Sequence, residues 1–145
     1  MTFRVACLQL CSGPEPEANT ARAVALIGQA ADEGADLVTL PEVTNIIQPN
    51  RQALRIIAKA EADDPTLAAL REAARAIERT VLVGSLVLKA EDDDQERLVN
   101  RSFLLGPDGS IRARYDKIHL FDVELPGGES YRESASYRAG HRRVL

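Results

Sequence analysis

No apolar run in this 145-residue sequence approaches the roughly 20 residues of a membrane-spanning helix. Nor is there an excess of cations: 18 Lys and Arg stand against 22 Asp and Glu, a formal charge of −4. That balance argues against broad binding to a nucleic-acid backbone, which needs Lys and Arg clustered in surplus. No Gly-rich phosphate loop occurs, and no Ser sits in a Gly-x-Ser-x-Gly elbow. The start, Met1-Thr2-Phe3-Arg4-Val5-Ala6, enters a strand-like segment with no room for a signal peptide, so the cytosol is the expected address.

Cysteine is scarce. Only Cys7 and Cys11 are present, four residues apart, and a disulfide is not expected in a cytosolic protein. In a strand, position 7 shares a face with positions 5, 9 and 11. His119 and His141, the two histidines, lie over 100 residues away without metal-ligand spacing. Both cysteines are therefore expected as small buried apolar side chains. What the sequence does have is 45% apolar and 28% charged residues, the balance of an ordinary globular chain. Its length fits one domain, residues 1–145, able to bury about 68–70% of its unfolded surface.

Phe3 to Leu10 reads as a buried strand, and Ser12-Gly13-Pro14-Glu15-Pro16 as a loop. Ala23, Leu26, Ile27, Ala30 and Ala31 fall at helical spacing within 17–33, with Gly34 at the stop. Leu37 to Leu40 is a second strand, giving the strand-helix-strand opening of α/β folds. A short helix is predicted over 49–60. Asp64 then caps a helix that begins at Pro65 and runs to about Arg79. Val81 to Leu88 is the strongest strand, and Gly84 within it signals a close approach of backbone or ligand. The acidic stretch Glu91 to Arg97 reads as a solvated turn and a poor metal site. Asn100 to Leu105 and Ile111 to Tyr115 flank the hairpin turn Pro107-Asp108-Gly109. Pairing the last three strands as a meander gives a mixed sheet. Residues 122–145 read as loop, and their ending resembles the start of a further strand.

Two residues stand out for chemistry. Glu42 lies just past the carboxyl end of a buried strand, where open α/β sheets place their ligand crevices. It is a general base by that position, or else a helix cap or exposed loop acid. Lys117 follows another strand and precedes apolar residues that pull it inward. It is a fixed cation able to stabilise an oxyanion, or else a surface lysine with its stem on apolar neighbours. His119 alternates with Ile118 and Leu120, which favours a hydrogen-bonded structural histidine over a titrating one.

The segments Arg4-Val5-Ala6-Cys7-Leu8-Gln9, Gly34 to Glu42, Asn100-Arg101-Ser102 and Tyr115 to Asp122 together resemble the nitrilase superfamily of carbon–nitrogen hydrolases. The similarity is greatest to the branch of small amidases that act on ω-amides of 2-oxo acids and on deaminated glutathione. The resemblance implies an α-β-β-α sandwich and a Glu–Lys–Cys triad, with no metal or organic cofactor and a small amide as substrate. Glu42 is then the general base and Lys117 the oxyanion stabiliser. Glu133, in Glu133-Ser134 after Pro126-Gly127, positions substrate and lysine, with Glu124 and Glu129 as nearby competitors.

The family's nucleophilic cysteine follows the lysine on a later strand, and neither Cys7 nor Cys11 matches it. The resemblance therefore implies the amino-terminal half of such a domain, truncated before the nucleophile segment. An enzyme of this family often dimerises, which implies a homo-oligomer. The rival expectation is an inactive fragment or interaction protein that pairs with itself or with a complementary chain.

Overall fold

The computed structural model describes residues 2–91 and 97–142. The chain runs through β1 (Val5–Cys7), α1 (Pro16–Asp32), β2 (Leu37–Thr39), α2 (Arg51–Ile57), α3 (Pro65–Ile77), β3 (Thr80–Lys89), β4 (Leu98–Leu105) and β5 (Ile111–Asp116). A small hairpin follows, β6 (Asp122–Glu124) and β7 (Ser130–Arg132). β1 to β5 form one sheet in chain order. β1, β2 and β3 run parallel, while β3, β4 and β5 form an antiparallel meander.

Local chemistry explains the helices. Pro16 opens α1 at its first turn, where a missing N–H costs nothing. Asn50 caps α2 by accepting from the Gln52 and Ala53 N–H groups, and Asp64 caps α3 through Leu67 N–H at 2.7 Å. Gly34, at φ 83°, ends the turn after α1.

α1 and α3 lie on one face of the sheet. Ile27 and Ala23 of α1 and Leu70 and Ala74 of α3 pack there on Val38, Val81, Val83 and Phe103, all essentially sealed from solvent. The larger of these side chains (Ile27, Leu70, the valines and Phe103) each contribute about 1.5–3 kcal/mol through burial, and the alanines less. A second cluster sits on the opposite face at one end, where Ile46, Leu54 and Ala58 cover Val87 and Leu98. Among the described residues, the rest of that face is open. Register places Cys7, Thr39, Leu82, Leu104 and Ala113 in one row across it. Val5 on the same face is 50% exposed and Leu82 37%.

That open face corrects one expectation. Cys7 and Cys11 are both exposed: among the described residues no layer covers the face of β1 that carries Cys7, and Cys11 lies in the segment beyond β1. β1 is also shorter than the predicted strand, since only Val5–Cys7 pairs with β2. A further correction concerns the stretch from Asp122, which is not all loop: β6 and β7 pair antiparallel around a turn closed by Leu125 N–H to the Glu129 carbonyl. Most of the acidic stretch 91–97, and residues 143–145 of the predicted final strand, lie outside the described residues.

Candidate active site

β2 ends at Thr39, and the chain then passes Leu40-Pro41-Glu42 over the middle of β3. Gly84 permits this crossing. A Cβ there would stand 2.2 Å from the Leu40 carbonyl oxygen and 2.6 Å from the Pro41 carbonyl carbon. The close approach expected at Gly84 is thus one of backbone to backbone. β3 bulges between Val83 and Leu86. There Ser85 N–H donates to the Pro41 carbonyl, and the Ser85 hydroxyl accepts from Val43 N–H at 2.8 Å. Val43 has a left-handed φ of 55°, unusual for a β-branched residue, so Glu42 sits in a turn held by its surroundings.

Lys117 follows β5 and is fixed through its backbone on both sides. Its N–H donates to the Asn100 carbonyl and its carbonyl accepts from Gly140 N–H, each at 2.9 Å. The preceding residue is anchored as well. Arg101 grips Asp116 in a bidentate pair (2.6 and 2.9 Å) and reaches Glu61 at 2.7 Å. Those carboxylates hold the guanidinium firmly in its charged form.

These two anchored segments bring the carboxylate and the amine together. Lys117 Nζ lies 3.1 Å from Glu42 Oε1 and 3.0 Å from Glu133 Oε2. Glu133 in turn accepts from Phe121 N–H at 2.6 Å, which ties it to the same loop. Asn100 donates from Nδ2 to Glu42 Oε1 at 2.7 Å. Side-chain exposure falls from Glu42 (57%) through Lys117 (28%) to Glu133 (17%). Burial pushes the Glu42 carboxyl up, but the Lys117 ammonium and the Asn100 amide outweigh it and hold the group below its usual range. Burial likewise pulls the Lys117 ammonium down, and Glu133 and Glu42 outweigh that, so the amine stays charged. At neutral pH the cluster is a carboxylate able to accept a proton beside a cation able to face an anion.

Of the other candidates, Glu124 pairs with Arg132 and Glu129 is exposed in the hairpin turn. Neither meets Lys117 among the described residues. His119 corrects an expectation: it is exposed and makes no side-chain hydrogen bond among the described residues. The segment after β5 leaves the sheet, so its apolar alternation does not direct the imidazole inward.

Two neighbours carried no assigned role in the sequence. Asn100 is one: β4 also carries Arg101 and Ser102, so a further polar residue does not stand out, and strand register is what brings its amide to Glu42. Tyr137 is the other; burial, with Glu133 and Glu42 nearby, pushes its phenol up to about 12. Nothing local in the sequence signals it, because a single parallel bridge from Leu98 to Tyr137 brings it in. Among the described residues, no group of three or more His, Cys, Asp or Glu side chains could hold a metal ion. No described helix is long and apolar enough to cross a membrane.

The fold is matched in known proteins. The carbon–nitrogen hydrolase pattern matches residues 4–144, and this chain belongs to that family. It is 34% identical over 142 residues to the chloroplastic omega-amidase of Arabidopsis thaliana, covering 95% of this chain and 37% of that protein. It is 32% identical over 139 residues to the omega-amidase NIT2 of Homo sapiens, covering 96% and 48%. With the deaminated glutathione amidase of Synechocystis it shares 33% identity over 144 residues, covering 97% and 50%. Among solved structures, the C. elegans NitFhit protein superposes with a TM-score of 0.85 at 30% identity, over 99% of this chain and 35% of that one. Saccharomyces cerevisiae Nit3, a nitrilase-superfamily member, gives 0.77 at 24% identity and shares the fold. The chain spans half or less of the length of these curated relatives.

Proposed function

We propose that this chain is the amino-terminal half of an amidase domain that hydrolyses a small carboxylic amide, with Glu42 as general base, Lys117 as oxyanion stabiliser and Glu133 as the residue that positions the lysine. The observation that carries the reading is the 3.1 Å approach of Lys117 Nζ to Glu42 Oε1 across 75 residues of sequence. Membership of the carbon–nitrogen hydrolase family supplies the reaction class, and the omega-amidase relatives suggest ω-amides as substrates.

The nucleophile in this reading is a cysteine outside the chain. Cys7 and Cys11 hydrogen-bond neither Glu42 nor Lys117 among the described residues; Cys7 ends β1 and Cys11 lies in the segment that follows it. The incoming thiol gives its proton to Glu42 as sulfur attacks the amide carbonyl carbon. Lys117 faces the oxyanion that forms. Glu42 returns the proton to nitrogen as the C–N bond breaks and ammonia leaves. Water, deprotonated by Glu42, then attacks the thioester carbon, and the thiolate leaves and recovers the proton.

The open sheet face supports the half-domain reading. A row of side chains from Cys7 to Ala113 offers the inner surface of a sandwich to a second sheet. Completion by that second half would cover Val5, Cys7 and Leu82. Association of two copies of this chain through the same face is the rival outcome.

The test is to join this chain to the remaining half of the Synechocystis relative and assay ammonia release from small ω-amides. The expected result is turnover by the joined protein, lost in Glu42→Gln, with almost none from the 145-residue chain alone. A folded joined protein that releases no ammonia overturns the reading. Robust turnover by the chain alone overturns the external nucleophile.

A further inference from the structure

We infer that Asn100 is the residue that orients the general base, by occupying Glu42 Oε1 together with Lys117 and so reserving Oε2 as the atom that takes and returns the proton. This rests on the proposed role of Glu42.

The geometry is specific to Asn100. It lies in β4 opposite Val87 and is only 4% exposed, so its side chain has no freedom to sample solvent. Its Nδ2 donates to Glu42 Oε1 at 2.7 Å, while its backbone carbonyl accepts from Lys117 N–H at 2.9 Å. One strand residue therefore contacts both members of the pair, the base through its side chain and the cation through its backbone. Lys117 Nζ approaches the same oxygen, Oε1, at 3.1 Å. Oε2 receives no hydrogen bond among the described residues. A carboxylate with one oxygen doubly occupied and the other open is fixed in rotation and presents one basic atom. Without Asn100, Lys117 alone holds Oε1. Glu42 is then free to turn and offer either oxygen to the ammonium, which lowers the fraction of time that a basic oxygen faces an incoming thiol.

The groups facing Glu42 are few. Lys117 comes from the segment after β5, Asn100 from β4, and the Tyr137 phenol, uncharged at neutral pH, from the segment after the hairpin. Glu133 reaches the cluster through Lys117. Any change in Glu42 titration on altering Asn100 is therefore read against one cation that remains in place.

The experiment follows the 13C carboxyl signal of Glu42 in the 145-residue chain through an acid titration, with assignment from Glu42→Gln. In Asn100→Leu, of similar volume, the Glu42 midpoint moves up toward that of an ordinary glutamate, and Asn100→Gln restores part of the shift. A reciprocal readout needs no variant at Asn100. The side-chain NH2 signals of Asn100 step at the Glu42 midpoint in the native chain and lose that step in Glu42→Gln. An unchanged Glu42 midpoint in folded Asn100→Leu overturns the inference. So does an Asn100 amide indifferent to Glu42 titration, which decides the matter if Asn100→Leu fails to fold. In the joined enzyme, Asn100→Leu lowers kcat about tenfold or more and shifts the acid limb of its pH profile upward, with KM little changed. The two readings fail separately. A joined protein without turnover but with the Asn100–Glu42 coupling intact overturns the proposed function alone. Turnover with an uncoupled Asn100 overturns this inference alone.

Discussion

Gly84 lies beneath Pro41 so closely that a single added methyl group would stand 2.6 Å from the Pro41 carbonyl carbon. The atoms it would meet are backbone, which cannot swing aside as a side chain can. The residue that makes room for Glu42 is therefore a glycine 42 positions further along the chain.

Gly84→Ala should consequently cost about 3 kcal/mol, at the upper end of overpacking penalties. Urea denaturation checks this through a lower midpoint at unchanged slope. In the joined enzyme the same variant should lower kcat, because the Pro41–Val43 turn must lift off β3. A neutral Gly84→Ala would show that the crossing is looser than described.

The ion pair sets a pH window. Glu42 titrates below its ordinary 4.5 and Lys117 above its ordinary 10.5. A depressed carboxyl stabilises the fold above its unfolded value, and that contribution is lost as pH falls through the folded value. A raised ammonium stabilises below 10.5, and that contribution is lost as pH rises through the folded value. The stability difference between the native chain and Lys117→Met should therefore be greatest and flat between these limits. It should shrink on both sides. Urea midpoints measured across pH check this, and the exposure of Glu42 makes the difference small and sensitive to salt.

Both thiols should react with an aromatic disulfide reagent in the folded chain, at rates close to those of the unfolded chain. In the joined protein Cys7 should be protected, because the proposed second sheet would cover its row. Protection of Cys7 in the 145-residue chain alone, with a concentration-dependent rate, would indicate that two copies cover each other's open face.

The cysteines also show where sequence reading fails. Alternation along β1 says which residues share a face, but not whether anything covers that face. The helices were legible because their signals are local: Pro16 at a first turn, Asp64 before Pro65, Gly34 after a stop. Gly84 was legible as a close approach because a glycine in a strong strand has few other uses. β6 and β7 were not, since Asp122-Val123-Glu124 and Ser130-Tyr131-Arg132 are short, mostly polar and exposed. Glu42, Lys117 and Glu133 were legible as a set through short motifs, whereas Asn100 and Tyr137 gain meaning only from strand register and a long-range bridge.

The most direct test of a base and a cation acting as one unit is a double-mutant cycle on kcat in the joined enzyme, with Glu42→Gln, Lys117→Met and the pair. Residues that serve one proton transfer and its oxyanion are strongly non-additive. Each single change should cost about 10³-fold or more, and the double change little beyond either. Losses that multiply independently, or a single variant that retains full kcat, would contradict this.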